Sequence, residues 1–211
     1  MTDLPGTMLT LRNETAEHHR RAEQHPFQQQ LVRGLLPRPL YLRWLTQMLH
    51  VHAALEAHLE RLIRRHPRLA ATFDDSRRKE AALRADLAFL GGDADVPALP
   101  AAQALVADFD RLAAEEPLAL LGALYVLEGS TNGSKYIARK VRPAYGLPAT
   151  GEGSRYLDPY GDEQPARWAE FKEAMGGVEF SPTEVNQLVA AARDTFDAVH
   201  DLGGELLGAP A

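Results

Sequence analysis

Across residues 38–65 the apolar side chains Leu40, Trp44, Met48, Val51, Leu55, Leu59 and Leu62 return every three or four positions. That spacing lines one face of an α-helix but would scatter over both faces of a strand, so the segment reads as one long amphipathic helix. Pro39 suits a first helical turn and marks where it starts. The same periodicity predicts helices over residues 8–23, 27–34, 77–90, 101–114, 117–141 and 165–174. A last helix over 182–207 carries Val185, Leu188, Val189, Ala192, Phe196, Val199 and Leu202 as its stripe, and Ser181-Pro182-Thr183-Glu184 in front of it has the form of a capping box. No run of alternating β-branched residues extends beyond a few positions, so the expected class is all-α. A chain of 211 residues can bury a core of its own, and one multi-helical domain over residues 1–211 is the expected organisation. Residues 143–164, with four glycines and three prolines, are too long for an ordinary connection and are expected to form a packed wrap or lid.

Cysteine is absent, which excludes disulfides, thiolate metal sites and cysteine nucleophiles together. With 23 basic against 29 acidic residues the net charge is -6, an unsuitable balance for coating nucleic acid. The opening residues lack the basic and then apolar pattern of a signal peptide, and no apolar run approaches the roughly 18 residues of a membrane span. A cytoplasmic protein with neither a nucleic-acid nor a membrane partner is the expectation.

Two segments carry chemistry. In the first helix Arg12 and His19 are seven residues apart and Glu23 follows four after His19, so the three share one stripe. An imidazole that can donate its second N–H to a carboxylate one turn away is what a metal-binding histidine requires, because the carboxylate fixes tautomer and ring orientation. A solvated helix face fits the same residues, and solvent is the expected surrounding of the adjacent His18. The second segment is Glu128-Gly129-Ser130-Thr131-Asn132-Gly133. Each glycine inside a helix costs about 1 kcal/mol relative to alanine, so something should offset the pair. Glycines four apart bare one face of a helix to a flat object or to the backbone of another helix, and both readings stand at this point.

Taken together, these segments resemble the haem oxygenase family, whose first helix holds a proximal histidine and whose distal helix carries glycines at this spacing. The likeness continues at Phe171-Lys172 and from Glu179-Phe180-Ser181-Pro182 to Phe196, in the same order along most of the chain. It implies that His19 ligates haem iron and that Glu23 orients it. It further implies that Gly129, Ser130 and Gly133 form the distal, oxygen-binding side. Arg12 and Lys172 match basic positions near the haem propionates, and Phe196 matches an apolar pocket position. Tyr125 and Lys135 would add polar contacts. Some relatives carry aspartate where Ser130 stands, whereas other bacterial members resemble this chain in having serine.

The implied activity is cleavage of haem, both cofactor and substrate, to biliverdin, CO and iron, with O2 and an external electron donor such as a ferredoxin or a reductase. A haem carrier or sensor that leaves the ring intact is the alternative, motivated by the polar Thr131-Asn132 pair. Di-iron carboxylate bundles want glutamate with histidine three residues later, a spacing this chain lacks. Thiamin-degrading enzymes share the helical pattern but rely on a cysteine. The six histidines His25, His50, His52, His58, His66 and His200 are expected to be surface or internally satisfied residues.

Overall fold

A computed structural model describes residues 6–208 as helices and connecting turns, with no strand among them. The expectation about a leader rests partly on residues 1–5, which, with residues 209–211, lie outside the described residues. No helix among the described residues is long and apolar enough to cross a membrane. The helices are α1 (Gly6–Gln24), α2 (Pro26–Arg33), α3 (Arg38–Ile63), α4 (Pro67–Ala70), α5 (Glu80–Leu90), α6 (Pro100–Glu115), α7 (Leu120–Ala144), α8 (Gln164–Gly176) and α9 (Pro182–Gly208).

The apolar stripes read from the sequence are the buried faces. On α3, Trp44, Met48, Val51, Leu55 and Leu59 are all buried and pack toward α5 and α6. The last helix, α9, is the axis of the fold: α1, α2, α6 and α7 all lie against it. Its start is the expected capping box, with Ser181 N donating to Glu184 Oε2 at 2.8 Å and Glu184 N to Ser181 Oγ at 3.2 Å. Arg68 joins Glu184 from α4, and these partners hold the Glu184 carboxyl down to about 2.

Helix α5 starts three residues later than the periodicity suggests, after a short 3-10 turn at Asp75–Arg77. The cause is a carboxylate from another helix. Glu56 Oε1 of α3 accepts the Lys79 and Glu80 amides at 2.6 and 3.1 Å, serving as the N-terminal cap that Lys79 cannot supply itself. The short helix α4 was not foreseen either. Helix α7 begins at Leu120 after a 3-10 turn at Pro117–Ala119, and it runs through Pro143 in its final turn.

The irregular segment after α7 packs as a wrap. Arg142 holds it through Ser154 Oγ and Asp158 Oδ2, each at 2.9 Å, and Asp86 accepts the Arg155 and Tyr156 amides at 3.0 and 2.8 Å. Tyr156 then lies buried between Trp44 and His52.

Close approach of α7 and α9 depends on Gly122. A Cβ there would lie 2.1 Å from the Leu188 carbonyl oxygen and 3.1 Å from Ala192 N, both backbone atoms that cannot rotate away. Gly122→Ala is therefore expected to destabilise the protein by about 2 kcal/mol through overpacking. Thermal unfolding followed by circular dichroism should show this as a fall of roughly 4–8 °C.

Candidate functional site

Helices α1 and α7 both pack on α8 and α9 but make almost no direct contact with each other. Tyr125 of α7 bonds the Thr15 hydroxyl of α1. On α1, His19 is 55% exposed in its side chain, with Nδ1 3.4 Å from Glu23 Oε2. The edge of its ring meets Phe196 of α9 at 5.5 Å between centroids and 86° between planes. Nδ1 is thus oriented by a carboxylate one turn away, and Nε2 has no partner among the described residues. The neighbouring His18 is not solvated as expected: its Nδ1 lies 2.9 Å from Asp197 Oδ1 of α9, and Arg21 approaches the same oxygen at 3.3 Å.

On α7, a Cβ at Gly133 would meet nothing within 4 Å, whereas one at Gly129 would rest 3.4 Å from the Trp168 ring of α8. Tyr125, one turn earlier, reaches toward α1. Burial raises its phenol above the ordinary value, with the Thr15 hydroxyl and the Arg12 guanidinium opposing that rise. Arg12 is exposed, Lys172 half-buried, and neither forms an ion pair among the described residues. Lys135 is differently occupied, with Nζ 3.3 Å from the Gly161 carbonyl and 4.0 Å from Asp162 Oδ1 in the wrap.

Polar side chains of α7 turn back onto their own helix. Ser130 Oγ donates to the Leu127 carbonyl at 2.7 Å, Thr131 Oγ1 to Glu128 at 2.6 Å, Asn132 Nδ2 to Gly129 at 2.9 Å and Ser134 Oγ to Thr131 at 3.3 Å. Such local bonds compete with the helical ladder and, with two glycines, soften the helix. From the other side, Gln164 Nε2 donates to Thr131 Oγ1 at 2.8 Å and to Asn132 Oδ1 at 3.3 Å, pinning the segment to the start of α8.

A buried ionic cluster lies behind α7. Glu128 faces Arg77 Nη1 at 3.3 Å and Lys79 Nζ at 3.2 Å, the side chains of Arg77 and Glu128 being only 5% and 2% exposed. Tyr160 OH donates to Glu128 Oε1 at 2.7 Å and accepts from Lys79 Nζ at 2.8 Å. Burial pushes the Tyr160 phenol well up, and the Glu128 carboxylate adds to it. Burial also lowers the Lys79 ammonium despite Glu128. Alongside, His52 Nδ1 is 3.7 Å from Glu56 Oε1 and His52 Nε2 is 3.2 Å from Tyr156 OH. Burial lowers the His52 imidazolium below its ordinary value, against the pull of Glu56. For Glu56, burial acts to raise the carboxyl, but His52 and the Lys79 and Glu80 amides outweigh it and the net direction is down.

The remaining histidines are mostly satisfied internally. His25 Nδ1 accepts the Phe27 amide at 3.2 Å, His50 Nε2 meets the Val96 carbonyl at 2.8 Å, and His58 pairs with Asp110 at 2.7 Å. Three features went unread in the sequence: Trp168, Gln164 and the Glu128 cluster. Glu128 had a visible signal, since it stands in the apolar row with Leu124 and Thr131, where a charge needs a buried partner.

A bare turn of helical backbone at Gly133, an imidazole oriented by a carboxylate, and Arg12 and Lys172 without ion-pair partners among the described residues suit a flat, metal-bearing, anionic ligand, as in helical haem proteins. The donor set fits haem: one nitrogen for iron, cations for carboxylates, and no side chain at Gly133 in the way. The family model for haem oxygenase matches residues 7–203, and the chain belongs to the haem oxygenase family. Rat haem oxygenase 1 is 24% identical over 191 residues, covering 88% of this chain and 66% of its own length. The chain thus spans just under two thirds of that mammalian relative. A haem oxygenase from Xanthomonas campestris is 29% identical over 154 residues, covering 66% of this chain and 84% of that protein. In fold, the chain is similar to haem oxygenase-1 of the cyanobacterium Synechocystis, crystallised in complex with haem, with a TM-score of 0.87 at 22% identity over 96% of this chain and 92% of the other.

Two outcomes test the cluster behind α7. Glu128→Gln removes the carboxylate paired with both Arg77 and Lys79 and is expected to cost about 3 kcal/mol, read as a fall of roughly 6–12 °C in thermal midpoint. His52 in the folded chain titrates below its ordinary 6.5, so its contribution is whole above that value and lost as pH falls through the folded one. Stability measured by denaturant from about pH 7 to about pH 5 should therefore fall less steeply in His52→Gln than in the parent.

Proposed function

We propose that this chain works as a single-domain, cytoplasmic haem oxygenase. It would bind haem between α1 and α7 and open it to biliverdin, CO and iron, using O2 and electrons from an external donor such as a ferredoxin or a reductase. The observation that carries this reading is His19: an exposed imidazole, set by Glu23, on a helix that shares α8 and α9 with α7, whose Gly133 is bare.

Bound haem would supply both the iron that activates O2 and the ring that is opened, and the protein supplies orientation and electrostatics. His19 would hold the haem iron through Nε2, with the Glu23 carboxylate beside Nδ1 to fix the ring's orientation. Phe196 limits rotation of the His19 ring through its edge contact. Arg12 and Lys172 form no ion pair among the described residues, so they would be available to hold the two propionates by charge-assisted contacts. Gly133 keeps a side chain off the distal face, whereas Gly129 lies under the Trp168 ring. Ser130 spends its hydroxyl proton on the Leu127 carbonyl, which leaves its oxygen as an acceptor on the exposed side of α7. Lys135, tied to the wrap, would act by holding Gly161 in place.

The motive for a carrier or sensor was the polar Thr131-Asn132 pair. Gln164 takes up both of those side chains, so they give no reason to prefer a site without turnover.

Haemin titration followed by absorption, and then addition of a reductant in air, tests the reading. The expected result is a ligated Soret band that decays with formation of a biliverdin-like product; a stable spectrum in the reduced, oxygenated sample sinks the enzyme reading. His19→Ala should abolish axial ligation, whereas His18→Ala should leave the haem spectrum nearly unchanged. Glu23→Gln should weaken binding about tenfold. In the double variant Arg12→Ala and Lys172→Ala, affinity should drop roughly ten- to hundredfold. An unchanged affinity and product isomer would reject the propionate assignment.

A further inference from the structure

Trp168 stands where the two distal glycines part company. Of the two, Gly129 is covered, with the Trp168 ring 3.4 Å from its Cβ position, and Gly133 is open. The indole is half-buried and firmly backed. It stacks on Phe171 at 5.4 Å between centroids and 16° between planes, and Phe171 is completely buried. The Arg77 guanidinium lies 5.1 Å from the Phe171 ring centroid, so the stack ends on the ionic cluster that holds Glu128. Tyr125 closes the other side at 6.1 Å, tilted by 40°. Swinging the indole away would break the stacking with Phe171 and expose apolar surface, so a flat ligand entering along α7 meets a fixed wall.

Resting on the reading that haem binds between α1 and α7, we infer that Trp168 is a specificity-determining residue. Its indole stops the macrocycle on the Gly133 side of Gly129, and that stop decides which meso edge faces the open backbone. Arg12 and Lys172 set the rotation of the ring; Trp168 sets how far it slides. The two controls are separable, because the indole touches the ring by shape alone and carries no charge.

The test compares the full-length parent with Trp168→Ala and Trp168→Phe in the ferric haem complex. In the parent, one set of hyperfine-shifted haem methyl resonances and one biliverdin isomer are expected. Trp168→Ala should give two or more methyl sets, a mixture of isomers on turnover, and haemin affinity lowered roughly three- to tenfold. Trp168→Phe keeps an aromatic wall and should restore a dominant single set. If the alanine variant does not fold, Trp168→Leu, which still packs against Phe171, makes the same comparison. An alanine or leucine variant with the parent's methyl pattern, isomer and affinity overturns the assignment of Trp168 while leaving the haem reading intact. A parent that forms no ligated haemin complex removes both at once.

Discussion

Two helices that each bury a face must be kept from burying it against one another. Each of α1 and α7 packs on α8 and α9, so the placement of either helix is set by those shared partners. Helix α7 is fixed at three heights. Near its start, Gly122 lets it press onto the backbone of α9 at Leu188 and Ala192. In its middle, Glu128 is drawn to Arg77 and Lys79 while Thr131 and Asn132 are held by Gln164. Near its end, the Lys140 carbonyl seats against Gly34, whose φ of +68° closes α2 in the left-handed region and whose missing side chain admits the contact. All three fixings leave Gly133 bare.

The middle fixing explains a local contradiction. Residues 129–134 combine two glycines with four side chains that bond their own backbone, a composition that favours bending, yet α7 runs unbroken over 25 residues. Rear contacts from Glu128, Gln164 and Lys135 hold the softened turn in line. Buried ion pairs of this kind add little net stability against a well-packed apolar alternative, because desolvation cancels most of the attraction. What the Glu128 cluster contributes is position: Arg77, Lys79 and Tyr160, all from outside α7, converge on its one carboxylate. The cluster also reaches the opposite face indirectly, through Arg77 over Phe171 and Phe171 under Trp168.

Helix content was readable because apolar periodicity is a local signal, and so was the α9 capping box, whose partners are three residues apart. The His19 to Glu23 pair and the glycine spacing were readable for the same reason. What escaped was set by distance along the chain. Glu128 meets Arg77 across 51 residues, and His18 meets Asp197 across 179, so nothing nearby in sequence announces either partner. The start of α5 moved because its cap comes from Glu56, 23 residues upstream of Lys79. Trp168 read as one more apolar residue on α8; that its ring covers Gly129 depends on how α8 crosses α7, which periodicity does not encode.

The adjacent histidines of α1 show how a structural contact determines a chemical one. His18 and Arg21 share the Asp197 carboxylate on α9, and Arg193 of α9 reaches back to Glu14 at 2.6 Å, so α1 is clamped against rotation about its own axis at two levels. Successive side chains on a helix diverge by about 100°. Once Asp197 holds His18, His19 has no freedom to choose its direction: it must leave the α9 contact, pass the edge of Phe196 and present its unpartnered nitrogen outward. Arg21 on Asp197 and Arg193 on Glu14 keep α1 in register without His18, so the direction of His19 belongs to the whole helix contact and not to its neighbour alone.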